Sequence, residues 1–128
     1  MSKKNIEKYI PKAIKEIEKV FAKELKNNGI PNTYNGYISS FGASIIQSGL
    51  KPTLALFENE NAKTQEKKQL LPSLILKILD PDTKESSLLR YVLQKNNEAY
   101  LKQQIINISI AIKLSLRTFK LDKGSKNE

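Results

Sequence analysis

Apolar residues recur along the first quarter of the chain with a helical period. Ile10, Ala13, Ile14, Ile17, Val20, Phe21 and Leu25 follow the i, i+3, i+4, i+7 rule of an amphipathic helix. The spacing predicts one helix across Lys3 to Asn28, its main body beginning near Ile10 because Pro11 fits best in a first turn. Gly29 then offers a C-cap, and Pro31 prevents continuation. A second helix is predicted over Asn32 to Leu50, capped by Asn32 or Thr33. Its apolar face carries Tyr34, Tyr37, Ile38, Phe41, Ile45 and Ile46. Gly49 ends it, with Leu50 following in a Schellman-like arrangement. Gly42 weakens the middle of this helix by ~1 kcal/mol relative to Ala, a loss that close packing would explain.

A short apolar segment, Thr53 to Phe57, follows Pro52, which suits a first turn. Glu58 to Lys68 is polar and lacks periodicity until about Glu66, so Glu58 and Glu60 read as solvated loop residues. Gln69 to Leu79 is apolar on one face, with Pro72 disturbing its start. Asp80-Pro81-Asp82 forms a turn, and Asp82 with Glu85 resembles a capping box for a helix over Thr83 to Lys95. Asn96-Asn97 breaks that helix and Glu98 opens the last one. From Asn107 to Arg117 the pattern is strict alternation. Ile108, Ile110, Ile112, Leu114 and Leu116 face away from Asn107, Ser109, Ala111, Lys113, Ser115 and Arg117, as in a half-buried strand. A central helix, apolar almost all round, fits the same residues through Leu101, Ile105, Ile108, Ile112, Leu116 and Phe119. The pattern alone leaves both open. No repeat or linker divides the chain, which reads as one domain over residues 1–121 with a frayed tail at 122–128.

Composition narrows the chemistry. The 128 residues contain no cysteine and no histidine. Thiolate and imidazole metal ligands, Cys-His pairs and Ser-His-Asp triads cannot be built, and a non-enzymatic role is expected, with no cofactor. Ser48-Gly-Leu-Lys51 matches S-x-x-K, but a helix-ending glycine interrupts it and neither S-D-N nor K-T-G follows. Asp80, Asp82 and Glu85 could hold a hydrated magnesium ion. Turn formation and capping account for them more cheaply, so no metal site is expected. Asn107-Ile-Ser109 matches a glycosylation sequon, but no secretory signal accompanies it. No apolar stretch approaches the ~20 residues that span a bilayer, so no membrane partner and a cytoplasmic location are expected.

Charge adds a partner class. The net charge is +9, distributed as +4 over residues 1–30, −1 over 31–62, +2 over 63–98 and +4 over 99–128. Lys12, Lys15, Lys19, Lys23 and Lys26 oppose the apolar stripe of the first helix, and at ~100° per residue they fall within an arc of about 80°. Lys8 joins them only if the helix runs through Pro11. Lys113, Arg117 and Lys120 share one edge of the last segment if it is helical. Like charges at i, i+4 repel, and an RNA phosphate backbone would offset that cost. A solvated helix face explains the pattern equally well. Lysine outnumbers arginine, so contact with nucleic acid would be independent of sequence. Tyr34 and Tyr37 could stack on bases, although their spacing relative to Phe41 favours the core.

Tyr34, Phe41-Gly42, Ile45-Ile46-Gln47-Ser48-Gly49-Leu50 and Thr53-Leu54-Ala55-Leu56-Phe57 together resemble the small subunit of the type III-B CRISPR effector, the Cmr complex. That family's pattern has a Tyr, a Leu-Pro pair, an apolar residue, a Gly-Leu helix end and a short apolar helix. Gly42 stands where the Pro is expected. The family's C-terminal Trp is missing, and Leu114-Ser115-Leu116-Arg117 occupies its region. The resemblance implies an all-α fold, a compact single-domain bundle of about five to six helices, with Asn107 to Arg117 helical and no catalysis. It implies stacking along a ribonucleoprotein filament with other effector subunits and further copies of itself, and basic faces toward guide RNA and target RNA. The type III-A counterpart subunit, or a helical protein-interaction module whose charge serves solubility, are the competing readings.

Overall fold

The computed structural model describes residues 3–59 and 67–122. Its elements run α1 (Lys3–Glu7), α2 (Ile10–Val20), α3 (Ala22–Lys26), β1 (Ile30–Pro31), α4 (Thr33–Ser48), α5 (Leu50–Phe57), α6 (Leu70–Leu79), α7 (Leu88–Leu93), α8 (Glu98–Leu116) and β2 (Leu121–Asp122). Among the described residues the protein is all-α apart from two short strands. The six helical stretches expected from the sequence occur in their expected order, but the first is divided into α1, α2 and α3.

Both divisions have local causes. Pro11 occupies the first turn of α2, where its missing N–H costs nothing, and the chain turns at Lys8 and Tyr9 before it. The second break is at Phe21, whose φ of −107° and ψ of 24° leave the helical region. The ladder survives across it: Phe21 N–H donates to Ile17 O and Leu25 N–H to Phe21 O, each at 2.9 Å. The bend lets Phe21 enter the core, where its ring meets Tyr34 edge-on at a centroid distance of 5.0 Å.

α8 takes the helical alternative. Ile105, Ile108, Ile112 and Leu116 are buried, and so are Gln104, Asn107, Ser109, Ala111 and Ser115. A strand over Asn107 to Arg117 would bury either Ile108, Ile112 and Leu116 or Asn107, Ser109, Ala111 and Ser115 but not both, and the short apolar segment Thr53 to Phe57 lies in α5. α2 and α4 both pack along α8. Tyr9, entering α2, donates its hydroxyl to Gln104 Oε1 at 2.5 Å, in the first half of α8. Beyond α3, Ile30 and Pro31 pair in parallel with Leu121 and Asp122, beyond α8. α2 and α8 therefore run side by side in the same direction. Gly42 faces Ser109: a Cβ there would lie 3.8 Å from Ser109 Oγ, an ordinary contact. Close packing thus does not require this glycine.

Several local expectations are corrected. Asn32 flanks α4 without a side-chain cap. Ile46, placed on the apolar face of that helix, is 73% exposed, because it lies about 100° round the helix from Ile45 and off the buried stripe of Tyr34, Ile38, Phe41 and Ile45. Asp82 and Glu85 do not cap a helix. The chain stays irregular through Ser86, and α7 begins at Leu88 with Ser87 as its cap, the Oγ accepting from Arg90 N–H at 3.1 Å. Glu58 is not merely solvated. Its carboxylate accepts from Ser87 Oγ at 2.7 Å and from Leu89 N–H at 3.2 Å, so it satisfies donors at the start of α7 that the local sequence leaves free. Asp122, assigned to the tail, is paired in β2; residues 123–128 and Glu60 lie outside the described residues.

Candidate nucleic-acid interface

A row of lysines is built on α2. Ala13 and Ile17 are fully buried on its inner face, which leaves Lys12, Lys15 and Lys19 exposed on the outer one. One carboxylate intrudes: Glu16 Oε2, on a largely buried side chain, lies 3.7 Å from the Nζ of exposed Lys19, a long pair whose ammonium stays open to solvent. Lys23 and Lys26 are also exposed, but they ride on α3, past the bend at Phe21. The five lysines thus form two runs, Lys12, Lys15 and Lys19 on α2 and Lys23 and Lys26 on α3, divided at Phe21.

Packing extends each run. Between α2 and α6 lies an open groove of about 320 Å³ lined by Glu16, Lys19, Val20, Lys77 and Pro81. Lys77 was missed in the sequence because it is a single cation in an apolar helix, and only tertiary packing sets it beside Lys19. At the far end, the strand pair brings Lys120 beside Gly29, just beyond α3. Ile30 N–H donates to Lys120 O at 3.0 Å, and Asn32 N–H to Asp122 O at 2.9 Å. Gly29 makes this possible. Its φ is +106°, and a Cβ there would stand 2.6 Å from Lys120 O. Lys120 and Arg117 are exposed here, Arg117 directly after the last turn of α8, while Lys113 is half-buried one turn earlier.

Other sequence candidates are absorbed by the fold. Tyr34 is 4% exposed, lies edge-on to Phe21 and Tyr37, and its hydroxyl oxygen accepts from Lys67 N–H at 3.0 Å. Tyr37 is half-buried. Asn107 and Ser109 of the sequon are buried within α8. Ser48 and Lys51 are separated by Gly49 at φ +100°, and Lys51 Nζ pairs with Glu98 Oε1 at 3.0 Å. Among the described residues no three His, Cys, Asp or Glu side chains are grouped to hold a metal ion. Asp80 Oδ2 accepts from the Tyr91 hydroxyl at 3.0 Å, and Glu85 Oε2 from Gln94 Nε2 at 2.9 Å. Burial first, and then the bond to Asp80, push the Tyr91 hydroxyl above the usual tyrosine range. A polar cleft of about 520 Å³ lies between α5, α6 and α7, but the Glu58 carboxylate within it is committed to the α7 start. Among the described residues no helix is long and apolar enough to cross a membrane.

A family model described as CRISPR-associated protein (Cas_Cmr5) matches residues 5–111. No curated protein and no solved structure matches the chain.

Proposed function

The chain belongs to the Cas_Cmr5 family of CRISPR-associated proteins, the small subunits of the type III-B effector, and from that membership we propose a non-catalytic role in holding RNA. The membership favours type III-B over the type III-A counterpart. In this reading the subunit stacks along the ribonucleoprotein filament, against other subunits and further copies of itself. It turns Lys12, Lys15, Lys19, Lys23 and Lys26 toward the phosphates of guide RNA or target RNA, with Lys113, Arg117 and Lys120 continuing the surface. The observation that carries this is the division of labour on α2: an inner face sealed into the core and an outer face whose cations are exposed. Ammonium groups on flexible stems suit a backbone whose sequence varies with each guide.

The test is a charge reversal of Lys12, Lys15, Lys19 and Lys23 to Glu within the assembled complex. Target-RNA retention should weaken and its dependence on salt should flatten, because fewer counterions are released. Unchanged affinity and slope would remove α2 and α3 from the RNA surface.

A second reading rests on a different observation. Ile46 is 73% and Leu56 56% exposed, both in the near-neutral second quarter of the chain. Those side chains suit a protein neighbour, with the lysines serving solubility alone. Purifying the native complex and assaying it for small RNA separates the readings, since a protein-only module predicts none.

A further inference from the structure

Tyr34 and Tyr37, the aromatic pair that the sequence offers for base stacking, are spent in and against the core. Tyr100 is not. It stands in the first turns of α8, is 60% exposed, and among the described residues no hydrogen bond or ion pair holds its side chain. Its surroundings follow from helical spacing. Gln104 lies four residues on and so on the same face of α8, about 6 Å along the axis. Gln104 accepts the Tyr9 hydroxyl at 2.5 Å. Two ammonium groups converge on the Tyr9 ring, Lys8 Nζ at 5.2 Å and Lys12 Nζ at 5.9 Å from its centroid. The nearest carboxylate along α8, Glu98, is paired with Lys51. An exposed aromatic face thus adjoins the N-terminal end of the lysine surface, with a buried tyrosine and its two lysines alongside.

We infer that Tyr100 stacks on one unpaired RNA base while Lys8 and Lys12 hold the neighbouring phosphates. This rests on the RNA-facing reading of α2 and goes further, because it commits this end of the surface to single-stranded RNA. A paired base presents no free face to a side chain, whereas every unpaired base does, so the site is tolerant of sequence. Lys8, which the sequence could align with the other lysines only through Pro11, is brought beside Lys12 by the Tyr9 ring.

The test compares the full chain with its Tyr100→Ala and Tyr100→Phe variants. The probes are a uridine oligomer carrying one 2-aminopurine and an RNA duplex of equal length. Tyr100→Ala should bind the oligomer about tenfold more weakly, the effect of losing roughly one stacked base. It should also lose the quenching of 2-aminopurine seen with the wild-type chain. Tyr100→Phe should keep both, and duplex affinity should be the same for all three. Equal oligomer binding by Tyr100→Ala overturns the stacking role and leaves the lysine surface standing if the duplex still binds. Equal losses on oligomer and duplex also overturn it. If the wild-type chain binds neither probe, the stacking role is overturned, and the RNA reading of α2 stands or falls on the charge reversal in the assembled complex.

Discussion

α2 and α8 lie side by side and point the same way, yet they divide polar and apolar residues by opposite rules. α2 puts Ala13 and Ile17 inside and its lysines outside. α8 is surrounded, and it buries Gln104, Asn107, Ser109 and Ser115 together with its isoleucines. On α2 a polar residue is therefore a statement about solvent or a partner. On α8 a polar residue is more often a device of the interior: Gln104 answers the Tyr9 hydroxyl, and Ser109 donates to Ile106 O at 2.7 Å. Candidate function is readable on the helix where chemistry and burial separate, and hidden on the one where they mix.

The largest effect should come from the centre of α8. Ile108→Ala removes a side chain with no exposure and leaves a cavity, at a cost of about 2–5 kcal/mol. Lys15→Ala, on the exposed face of α2, should change stability by no more than about 0.5 kcal/mol. Urea denaturation of the two variants measures the contrast directly. Similar midpoints would mean that α8 is not the central helix.

How much of this was legible follows the same line. The inner and outer faces of α2 could be read from periodicity, because an amphipathic helix writes its burial into its spacing. The turn at Gly49 was legible for the reason that left-handed backbone selects glycine. The alternation from Asn107 to Arg117 misled, because small polar residues on a surrounded helix are buried beside the apolar ones and imitate a strand. It was the family resemblance, not the pattern, that favoured the helix. Contacts between distant segments left no local signal. Glu58 caps a helix that begins 30 residues later in the sequence, and Lys77 joins Lys19 only through packing. The strand pair that seats Lys120 beside Gly29 was equally invisible.

That strand pair offers the next test, since it ties the ends of the two helices together. Gly29→Ala must adopt a φ near +106° and place its Cβ against Lys120 O. The strain should cost about 1–3 kcal/mol. Amide exchange should accelerate at Ile30 and Asn32, whose N–H groups donate to Lys120 O and Asp122 O. Global destabilisation with unchanged exchange there would show that the pair does not hold the ends.

At the other end the two helices meet through Tyr9 and Gln104. Tyr9→Phe removes the bond and leaves Gln104 Oε1 without its donor, for a loss of about 1–2 kcal/mol. The wild-type contact also has a pH signature. Burial, and secondarily the Tyr100 hydroxyl, push the Tyr9 hydroxyl above the usual tyrosine range. The folded state then keeps a proton that the unfolded chain releases near pH of about 10. Stability is present below that pH and is lost as pH rises toward the folded value. Thermal scans above this point should show a shallower alkaline decline for Tyr9→Phe, the remaining slope coming from other groups such as Tyr91. An unchanged slope would mean that Tyr9 ionises freely in the folded protein.

The last effect should have the opposite sign, and it separates the two kinds of polar residue most sharply. Ser115 is fully buried on α8, and its Oγ has no hydrogen-bond partner among the described residues. Thr118 Oγ1 donates to the Ser115 backbone carbonyl at 2.7 Å, a bond that a side-chain truncation preserves. Ser115→Ala therefore deletes a desolvated hydroxyl and gains helix propensity, at the expense of a void of one oxygen atom. The gain should be about 0.5–1 kcal/mol, raising the urea midpoint without altering the m-value. On α2, Lys19→Ala should move that midpoint very little and instead weaken RNA binding in the assembled complex. If Ser115→Ala destabilises the fold, the hydroxyl has a buried partner such as water, and the interior of α8 is better satisfied than its geometry implies. If Lys19→Ala leaves RNA binding intact, the exposed face of α2 loses its special claim, and the difference between the two helices is one of burial alone.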